Sequence, residues 1–583
     1  MHFMKITTVV CLSLAACVPA QADVFLRWNH AGFRPGEAKS LVAMSDTDLT
    51  GRAWRIERLA AGSGSVALAT GHPEPVLRGE FAASVVGRGD HTPLAFNHVV
   101  DFSALSEPGV YRFTGPDGAT AELQVDPAPY LRFVPEALRH LRVMRSGSNE
   151  TILRQFSHPG DAHAAVWVPD GDVANGKWKP AEPAREVDAL GGWYDAGDQI
   201  KFTLNVAYTT YHLLFAYRLD PAQFTRVNSR SDLPDVLDEA RFGLEFLTRV
   251  FPDPDTFVIQ VGDERDHHEP PRLPENDPLD GKRPALCALS RVHMGATAAA
   301  LALGARTWRE LGRADEAERY ARLARAIFAR ALRPDAVTTA FERGRVNDFY
   351  LDPIDADQMT LAGAELFTLT GERSYLDTAI KLAPPAAELV SWGNWTWLAN
   401  AALAASDPAA KAQLLAETDR YADRAATTGQ PWSLPGHYTW ASLHQWVAEA
   451  NAAKIASLRV SPSAQRRELF GHMLDYTFGR NNWGVSFFFS EQLSNTVRQI
   501  YNPTYHILRA FPTGALSEGP GERGMHDALR SHFPAAGDDS LARFDTPAAV
   551  FVDSAGDFMC QETTVAGQSD IVLMLTLASL GTR

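Results

Sequence analysis

The chain has 583 residues, of which 45% are hydrophobic and 21% charged, a composition that excludes the disordered and fibrous classes of protein. Its length allows about two to four domains, or one large repetitive domain with a satellite. With 70 acidic against 55 basic residues, the formal net charge is −15, which argues against nucleic acid and anionic membrane surfaces as partners.

Residues 1–22 have the pattern of a secretory signal peptide. A single lysine precedes an apolar run, and small residues mark a cleavage site after Ala22. Removing this segment takes away one lysine and no acid, so the charge goes from −15 to −16. A lipoprotein anchor at Cys17 is the alternative. However, strand-like sequence begins at Val24, which leaves almost no linker between such an anchor and the first strand. We therefore predict a periplasmic or secreted protein.

The cysteines provide few constraints on the fold. Cys11 and Cys17 lie in the signal segment, so the mature chain keeps Cys287 and Cys560. Two cysteines form at most one bridge, which excludes a disulfide framework and a CxxC metal site.

After the signal segment, no apolar run reaches the length of about 18 uncharged residues that a membrane-spanning helix needs.

Short β-rich runs separated by Gly, Pro, Asp and Ser occupy residues 24–126. Their length and spacing predict a β-sandwich. The runs are VFLRW, SLVAM, AWRIERL, FNHVVDF, GVYRFTG and AELQV. The segment VDPAPY, residues 125–130, marks a junction, and we place this first domain at 23–127.

Helical patterns fill residues 128–583. Apolar residues from Tyr320 to Ala331 follow the i, i+3, i+4, i+7 spacing of one helix face, and an Ala-rich run over 293–311 precedes them. Further helices are predicted at 233–251, 357–370, 374–388, 395–405, 408–426, 441–458, 463–478 and 570–580. Stacked helical pairs without intervening strands form either an open solenoid or a closed α/α barrel. Because no fixed repeat is visible, the closed barrel is favoured.

The segment GGWYDAGDQIKF, residues 191–202, places two carboxylates three positions apart. Its glycines predict a tight loop, and Trp193 and Tyr194 are large enough to pack and hold that loop still. Asp195 and Asp198 would repel each other, which raises the pKa of one carboxyl and suits it to taking a proton from water. An Asx-turn, a helix cap or a calcium loop would also explain the spacing alone.

The whole segment resembles the signature of glycoside hydrolase family 9, whose members are inverting enzymes that act on β-1,4-glucans. The resemblance continues over nearly the whole mature chain in WNHAGFRPGEAK, LPDVLDEARFGLEFL, VGDERDHHE, DADQMTLAGAELFTLTGERSYL and YTWAS. The first of these is similar to the opening strand of the immunoglobulin-like domain found before many such catalytic domains, although His30 replaces the usual Gln. The resemblance implies an immunoglobulin-like β-sandwich at 23–127 and an (α/α)6-barrel catalytic domain at 128–583.

Family resemblance also identifies a second carboxyl group. DFMCQETTVAG, residues 557–567, is similar to the family's Asp-Tyr-x-x-Asn-Glu pattern, with Phe558 in place of Tyr and Gln561 in place of Asn. This similarity implies that Glu562 is the general acid. Inversion requires that acid to lie about 6.5–9.5 Å from the base, so that a water fits between them.

The same resemblance implies roles for the loop. Asp198 would be the general base and Asp195 its partner in holding the water. Trp193 and Tyr194, which shape the loop, are placed with the substrate-binding residues.

The segment from 502 to 520 departs from the family pattern. Members usually carry a His-His-Arg run that contacts the sugar beside the cleaved bond, whereas His506 matches one histidine and Arg509 would supply the guanidinium from a shifted position. Family members usually carry an aromatic residue about five positions after the acid. Gly567 stands at this position here, which predicts a missing wall in the sugar-binding subsite.

Tryptophans and acidic loops provide further candidates. Trp392, Trp395, Trp397 and Trp440 are candidate platforms for the apolar face of a sugar. Trp392 and Trp440 are the best of the four.

In DERDHHEPP, the side chains of Asp263, Asp266 and His267 would bind a divalent metal, although a polar loop is the simpler interpretation. The region before the Asp loop has no cysteine, so we expect no zinc of the kind that some family members hold. We expect that no cofactor is required. The acidic loops are compatible with a structural calcium ion, but no specific motif places it.

The sequence therefore predicts an endo-β-1,4-glucanase-like hydrolase acting on β-linked glucans or oligosaccharides. An exo-acting β-glucosidase or exo-β-glucosaminidase is the alternative, and Glu491 or Glu518 reaching a sugar amine would favour the latter. A non-catalytic carbohydrate-binding relative is the alternative from another class.

Overall fold

A computed structural model describes most of the chain after the signal segment. The described residues are 23–59, 75–148, 151, 153–171, 177–226, 231–268, 271–336, 350, 354–385, 392–427, 429–533 and 539–580. The predicted signal peptide lies outside them.

The N-terminal domain is a sandwich of two antiparallel sheets. Its strands are β1 (Val24–Arg27), β2 (Ser40–Ser45), β3 (Ala53–Arg58), β4 (Leu77–Glu80), β5 (Phe96–Asp101), β6 (Gly109–Thr114) and β7 (Thr120–Val125). One sheet has the order β1-β2-β5 and the other β4-β3-β6-β7, and buried side chains of both fill one core. All six predicted runs form strands. The sequence did not predict β4, which is short, with residues partly or fully exposed.

The remainder is mainly helical. Its helices are α1 (Val134–Val143), α2 (Thr203–Leu219), α3 (Asp235–Arg249), α4 (Glu264–His268), α5 (Arg291–Glu310), α6 (Ala314–Ala331), α7 (Ala356–Thr370), α8 (Arg373–Leu382), α9 (Thr396–Leu403), α10 (Pro408–Thr427), α11 (Ser442–Arg459), α12 (Ala464–Thr477), α13 (Pro503–Leu508), α14 (Arg523–Leu529), α15 (Phe558–Gln561) and α16 (Val565–Ser579). The predicted helices are present, with ends shifted by a few residues. The helix predicted at 374–388 ends at Leu382, shortly before Pro384 and Pro385, because proline disfavours helical backbone.

Six helices close into a ring, which confirms the barrel. Helix α16 packs against α2, α2 against α5, α5 against α7, α7 against α9, α9 against α11, and α11 returns to α16. The helices α1, α3, α6, α8, α10 and α12 pack outside this ring. Helix α2 is buried on nearly all sides, so it lacks the one-sided apolar period by which its neighbours were recognised.

The expectation that no strands interrupt the helices is wrong. Short strands lie in the connections, namely β8 (Ala164–Pro169), β9 (Trp178–Pro180), β10 (Glu186–Val187), β11 (Lys201–Phe202), β12 (Val258–Val261), β13 (Pro284–Cys287), β14 (Gly521–Glu522) and β15 (Ala549–Val550). Strands β8 to β13 form one sheet. At two to six residues each they are too short for a period to show in the sequence. The loop with the two aspartates leads directly into β11.

The two domains are joined by partly buried polar contacts. Asn29 donates to Asp475 at 2.8 Å, and His30 lies 3.0 Å from the carbonyl of Gly484. From the barrel side, the indole of Trp432 donates to the carbonyl of His91 in the sandwich.

Among the described residues, no helix combines the length and apolar character that crossing a membrane requires.

Candidate active site

Two buried cations hold the backbone of the Asp loop. The ammonium of Lys201 bonds to the carbonyls of Ala189 and Gly191, at 2.7 and 3.0 Å, and pairs with Asp161. The guanidinium of Arg283 donates to the carbonyl of Gln199 at 2.6 Å. These bonds fix the backbone of the Asp loop. Lys201, to which the sequence assigned no role, is one of the two cations that form them.

Trp193 and Tyr194 lie beneath this loop. Trp193 is 0% and Tyr194 2% exposed, and the Trp193 indole donates to Glu239 at 2.8 Å. Gly192 has a φ of +72°, and a Cβ there would come within 3.0 Å of the Phe246 ring. Because both aromatic rings face the interior, we correct their assignment from substrate binding to packing under the loop.

Asp195 is held from two sides. Asn205, in the first turn of α2, donates to its Oδ1 at 2.6 Å, and the Tyr350 hydroxyl donates to its Oδ2. Burial raises the pKa of Asp195 to about 7, and the nearby charge of Asp198 adds to the rise. Neither partner was found in the sequence, because Tyr350 lies in a run with no motif and α2 shows no amphipathic period.

Asp198 keeps 15% of its side chain exposed. The Ile200 amide donates to its Oδ1 at 3.0 Å, and His267 Nδ1 lies 2.9 Å from its Oδ2. Hydrogen bonding to this carboxylate raises the pKa of His267. Asp198 is thus oriented by an imidazole that the sequence placed only in a polar loop or a metal set.

The three residues predicted as a metal set do not converge. His267 contacts Asp198, whereas Asp266 lies 3.1 Å from Arg272 and Asp263 pairs with Arg265. These contacts favour the polar-loop interpretation of this segment.

Glu562 lies opposite the loop, between two capped helices. Asp557 caps α15 by accepting from the Cys560 amide at 3.0 Å, and Glu562 follows the end of that helix. Thr564 caps α16 in the same way. The first residue of α16, Val565, donates its amide to the carbonyl of Asp195 at 2.9 Å, so one backbone bond joins the two halves of the site.

The carboxyl of Glu562 touches the loop between the two aspartates. The Gly197 amide donates to its Oε1 at 2.8 Å. Burial raises the pKa of Glu562 to about 8, and the charges of Asp198 and Asp195 act in the same direction. Gly197 is required at this point, because a Cβ there would lie 2.5 Å from the Tyr501 ring and 2.8 Å from the Glu562 carboxyl.

The four candidate tryptophans fall into two classes. Trp395 and Trp397 are fully buried and pack in the barrel core. Trp392 and Trp440 are partly exposed. The Trp392 ring lies 4.5 Å from that of Tyr350, and the Trp440 ring lies 5.4 Å from that of Phe558, at the start of α15. The two best candidates therefore border the carboxylates.

His506 and Arg509 are exposed at the far end of α13. In the part of the chain that the structure describes, neither side chain hydrogen-bonds to Asp195, Asp198 or Glu562. Helix α13 meets the site through its N-cap residue Asn502, whose side chain lies 3.5 Å from the Ala196 carbonyl.

Gly567 is a buried helix position rather than a gap in the cleft. A Cβ at this residue would come within 2.3 Å of the His444 ring, which packs against α16 from α11. The predicted missing wall is therefore wrong, because a side chain of another helix already fills that volume.

Two buried groups of metal-binding residue types occur among the described residues, namely His526, Asp557 and Cys560, and His158, Asp266 and Asp277. In the first, His526 bonds to Asp557 at 2.7 Å. In the second, His158 bonds to Asp277 at 2.6 Å, and Arg272 and Arg283 supply positive charge beside Asp277 and Asp266.

Cys287 and Cys560 are buried free thiols.

The structure brings two carboxyl groups to the same loop. The raised pKa of Glu562 favours its protonated form near neutral pH, while Asp198 keeps part of its side chain exposed and contacts His267. Two carboxyl groups held at one site are what acid–base cleavage of a glycosidic bond requires.

Comparisons with known proteins identify similar chains. Among curated relatives, Endoglucanase C of Cellulomonas fimi is 27% identical over 606 residues, which cover 93% of this chain and 50% of that enzyme. This chain thus spans half the length of that relative. A xyloglucan-specific endo-beta-1,4-glucanase of Bacteroides ovatus is 25% identical over 67% of this chain and 70% of its own.

Solved structures share the fold. A metagenome-derived glycoside hydrolase family 9 endoglucanase superposes with a TM-score of 0.76 at 22% identity, covering 96% of this chain and 99% of its own. A single mutant of a thermostable endoglucanase from Alicyclobacillus acidocaldarius gives 0.75 at 20% identity, covering 95% and 99%. The model of glycosyl hydrolase family 9 matches residues 130–575, and the chain belongs to this family.

Proposed function

We propose that the protein hydrolyses β-1,4-glycosidic bonds of glucans or their oligosaccharides with inversion at the anomeric carbon. The observation that carries this proposal is the contact between the Glu562 carboxyl and the loop of Asp195 and Asp198. Family membership and the endoglucanase names of its relatives support a glucan as the substrate.

In this mechanism, Glu562 donates its proton to the glycosidic oxygen as the bond from that oxygen to the anomeric carbon breaks. A water attacks the anomeric carbon from the opposite face and gives a proton to Asp198. His267 orients Asp198, while Asp195, fixed by Asn205, accepts a hydrogen bond from the same water. The products are a sugar with inverted configuration and a new free hydroxyl on the leaving sugar.

The acid and the base are tested by Asp198→Ala and Glu562→Gln on soluble β-glucan and chromogenic glycosides. Loss of a general acid or base costs about 10²–10⁴ in rate. Glu372→Gln, a change at an exposed carboxyl, is the matched control. Full activity in either site variant would refute the assignment, and NMR of the first product anomer would distinguish inversion from retention.

One substrate panel decides the mode of attack. We expect the enzyme to shorten a long glucan internally, releasing oligosaccharides of mixed length. Release of monosaccharide only, from chain ends of a cello-oligosaccharide or a chitosan oligosaccharide, would establish the exo-acting alternative. Binding to the whole panel without turnover would establish the non-catalytic one.

We also propose that the enzyme is exported to the periplasm or medium and acts without a cofactor. N-terminal sequencing of the exported protein should start at Asp23. Dialysis against a chelator should leave activity unchanged, because the carboxyl groups supply all the proton transfers. A loss that calcium restores would instead reveal a structural ion.

A further inference from the structure

We propose that a cavity between the two domains binds a small organic carboxylate, for which the ammonium of Lys454 is the counter-ion. This interdomain cavity has a volume of about 340 Å³, which lies within the range of about 300–1,000 Å³ that is usual for small-molecule sites. Such sites occur preferentially at domain interfaces. The residues that line the cavity are distinct from those of the candidate active site, so the proposal does not depend on the proposed function.

Both domains contribute apolar walls to the interdomain cavity. The sandwich supplies Phe33, between β1 and β2, and the barrel supplies Phe470 and Leu474 of α12. All three side chains are buried, whereas Arg467, which lines the cavity from the same helix α12, is exposed. The cavity therefore combines an apolar interior with an opening to solvent.

Lys454 of α11 is a buried cation in this cavity that lacks an acidic partner among the described residues. The residue is 6% exposed, and its ammonium forms no ion pair or hydrogen bond with another described residue. Its nitrogen lies 5.2 Å from the centre of the Phe470 ring. Burial lowers the pKa of Lys454. The charge of Glu37 opposes that shift, whereas Arg34 and Arg467 add to it. A buried ammonium without a partner is costly, and a bound carboxylate would supply the missing charge.

The other basic side chains that line the cavity are satisfied elsewhere. The ammonium of Lys39 donates to three backbone carbonyls, at 2.6, 3.0 and 3.1 Å. The guanidinium of Arg34 donates to a backbone carbonyl of α16 at 2.9 Å and lies 3.5 Å from Glu37. Arg467 is exposed to water. Lys454 is therefore the cation that an anion in the interior of the cavity would meet.

The acids that line the cavity are held by other groups or face water. Asp475 accepts from Asn29 at 2.8 Å, and burial raises the pKa of Asp475 to about 6. Asp101 accepts from a serine hydroxyl at 2.6 Å, and Glu468 is exposed. Burial also lowers the pKa of His472 to about 4, so this imidazole is neutral near pH 7. An unpaired cation beside apolar walls is the complement of a carboxylate attached to an apolar body.

Isothermal titration calorimetry of the wild-type protein tests the site with benzoate and with its neutral isostere benzamide. Benzoate should bind about ten-fold more tightly than benzamide, because only the carboxylate forms a charge-assisted hydrogen bond with the ammonium. The two probes are compared at equal ionic strength, so that screening of surface charges is the same for both. Equal affinity for the two probes, or no binding of benzoate at millimolar concentration, would overturn the proposal.

Two variants locate the binding in the cavity. Lys454→Met removes the charge and keeps an apolar side chain of similar length, so benzoate affinity should fall about ten-fold. Gly471 of α12 also lines the cavity, and no atom lies within 4 Å of a Cβ added there. Gly471→Leu should therefore fill part of the cavity and block benzoate without overpacking the helix. Unchanged benzoate affinity in either variant would overturn the proposal.

Two controls separate this site from general charge effects and from the candidate active site. Lys381→Met makes the same chemical change at an exposed lysine of α8, and it should leave benzoate affinity unchanged. A cello-oligosaccharide should not displace benzoate, because the cavity shares no lining residue with the candidate active site. Loss of affinity in Lys381→Met, or displacement by the oligosaccharide, would overturn the proposal whether or not the protein hydrolyses glucans.

Discussion

Replacing Gly197 with alanine perturbs the site by a single methyl group. The new Cβ would lie 2.5 Å from Tyr501 Cδ1 and 2.8 Å from Glu562 Oε1, whereas carbon atoms in contact are about 3.5–4.0 Å apart. Either neighbour must therefore retreat by about 1 Å, and the 2.8 Å bond from the Gly197 amide to Glu562 is lost or stretched. A misplacement of about 1 Å costs on the order of 10² in rate, so kcat should fall about 100-fold.

The assay is steady-state hydrolysis of soluble β-glucan, with the melting temperature measured in parallel. Overpacking should cost about 1–3 kcal/mol of stability, so the variant should still fold. Gly471→Ala is the control, since no atom lies within 4 Å of its added Cβ. If Gly197→Ala keeps more than half of the wild-type kcat, the close approach of Glu562 to the loop is not needed for catalysis.

Three further outcomes are expected. Because Glu562 must be protonated to act and its pKa is raised to about 8, kcat/KM should decline above about pH 8; an alkaline profile without this decline would contradict its role as acid. His267→Ala should lower kcat about ten-fold, since it frees the carboxylate of the general base; unchanged kinetics would show that the imidazole is dispensable. Cys287 and Cys560, both buried and free, should react with a thiol reagent only after unfolding, and a missing pair of thiols in the unfolded mature chain would indicate a bridge.

The sequence was most informative where a short motif combines several residue types. Asp195, Asp198 and Glu562 were all named from such motifs, and the structure brings them to one place. Tyr350 was not found, because a single tyrosine in a run without a pattern gives no signal until folding places its hydroxyl on Asp195. His267 was noticed only as part of a polar loop or a metal set, since the chain order cannot show which carboxylate it faces.

Packing between distant elements was the other source of error. Helix α2 escaped prediction because burial on nearly all sides removes its period. Gly567 was interpreted as a gap because its neighbour in space, His444, is far away in the sequence. In both cases the missing information was the identity of the surface that the residue packs against.

The hydrogen bond from the Gly197 amide to the Glu562 carboxyl joins segments 365 residues apart in the chain. During synthesis the base emerges hundreds of residues before the acid, and long-range contacts of this kind form late in folding. Under the proposed mechanism, a partly made chain therefore carries one of the two catalytic carboxyl groups and lacks the other. The time course of activity recovered during refolding should therefore report when α16 packs on α2 and closes the helical ring.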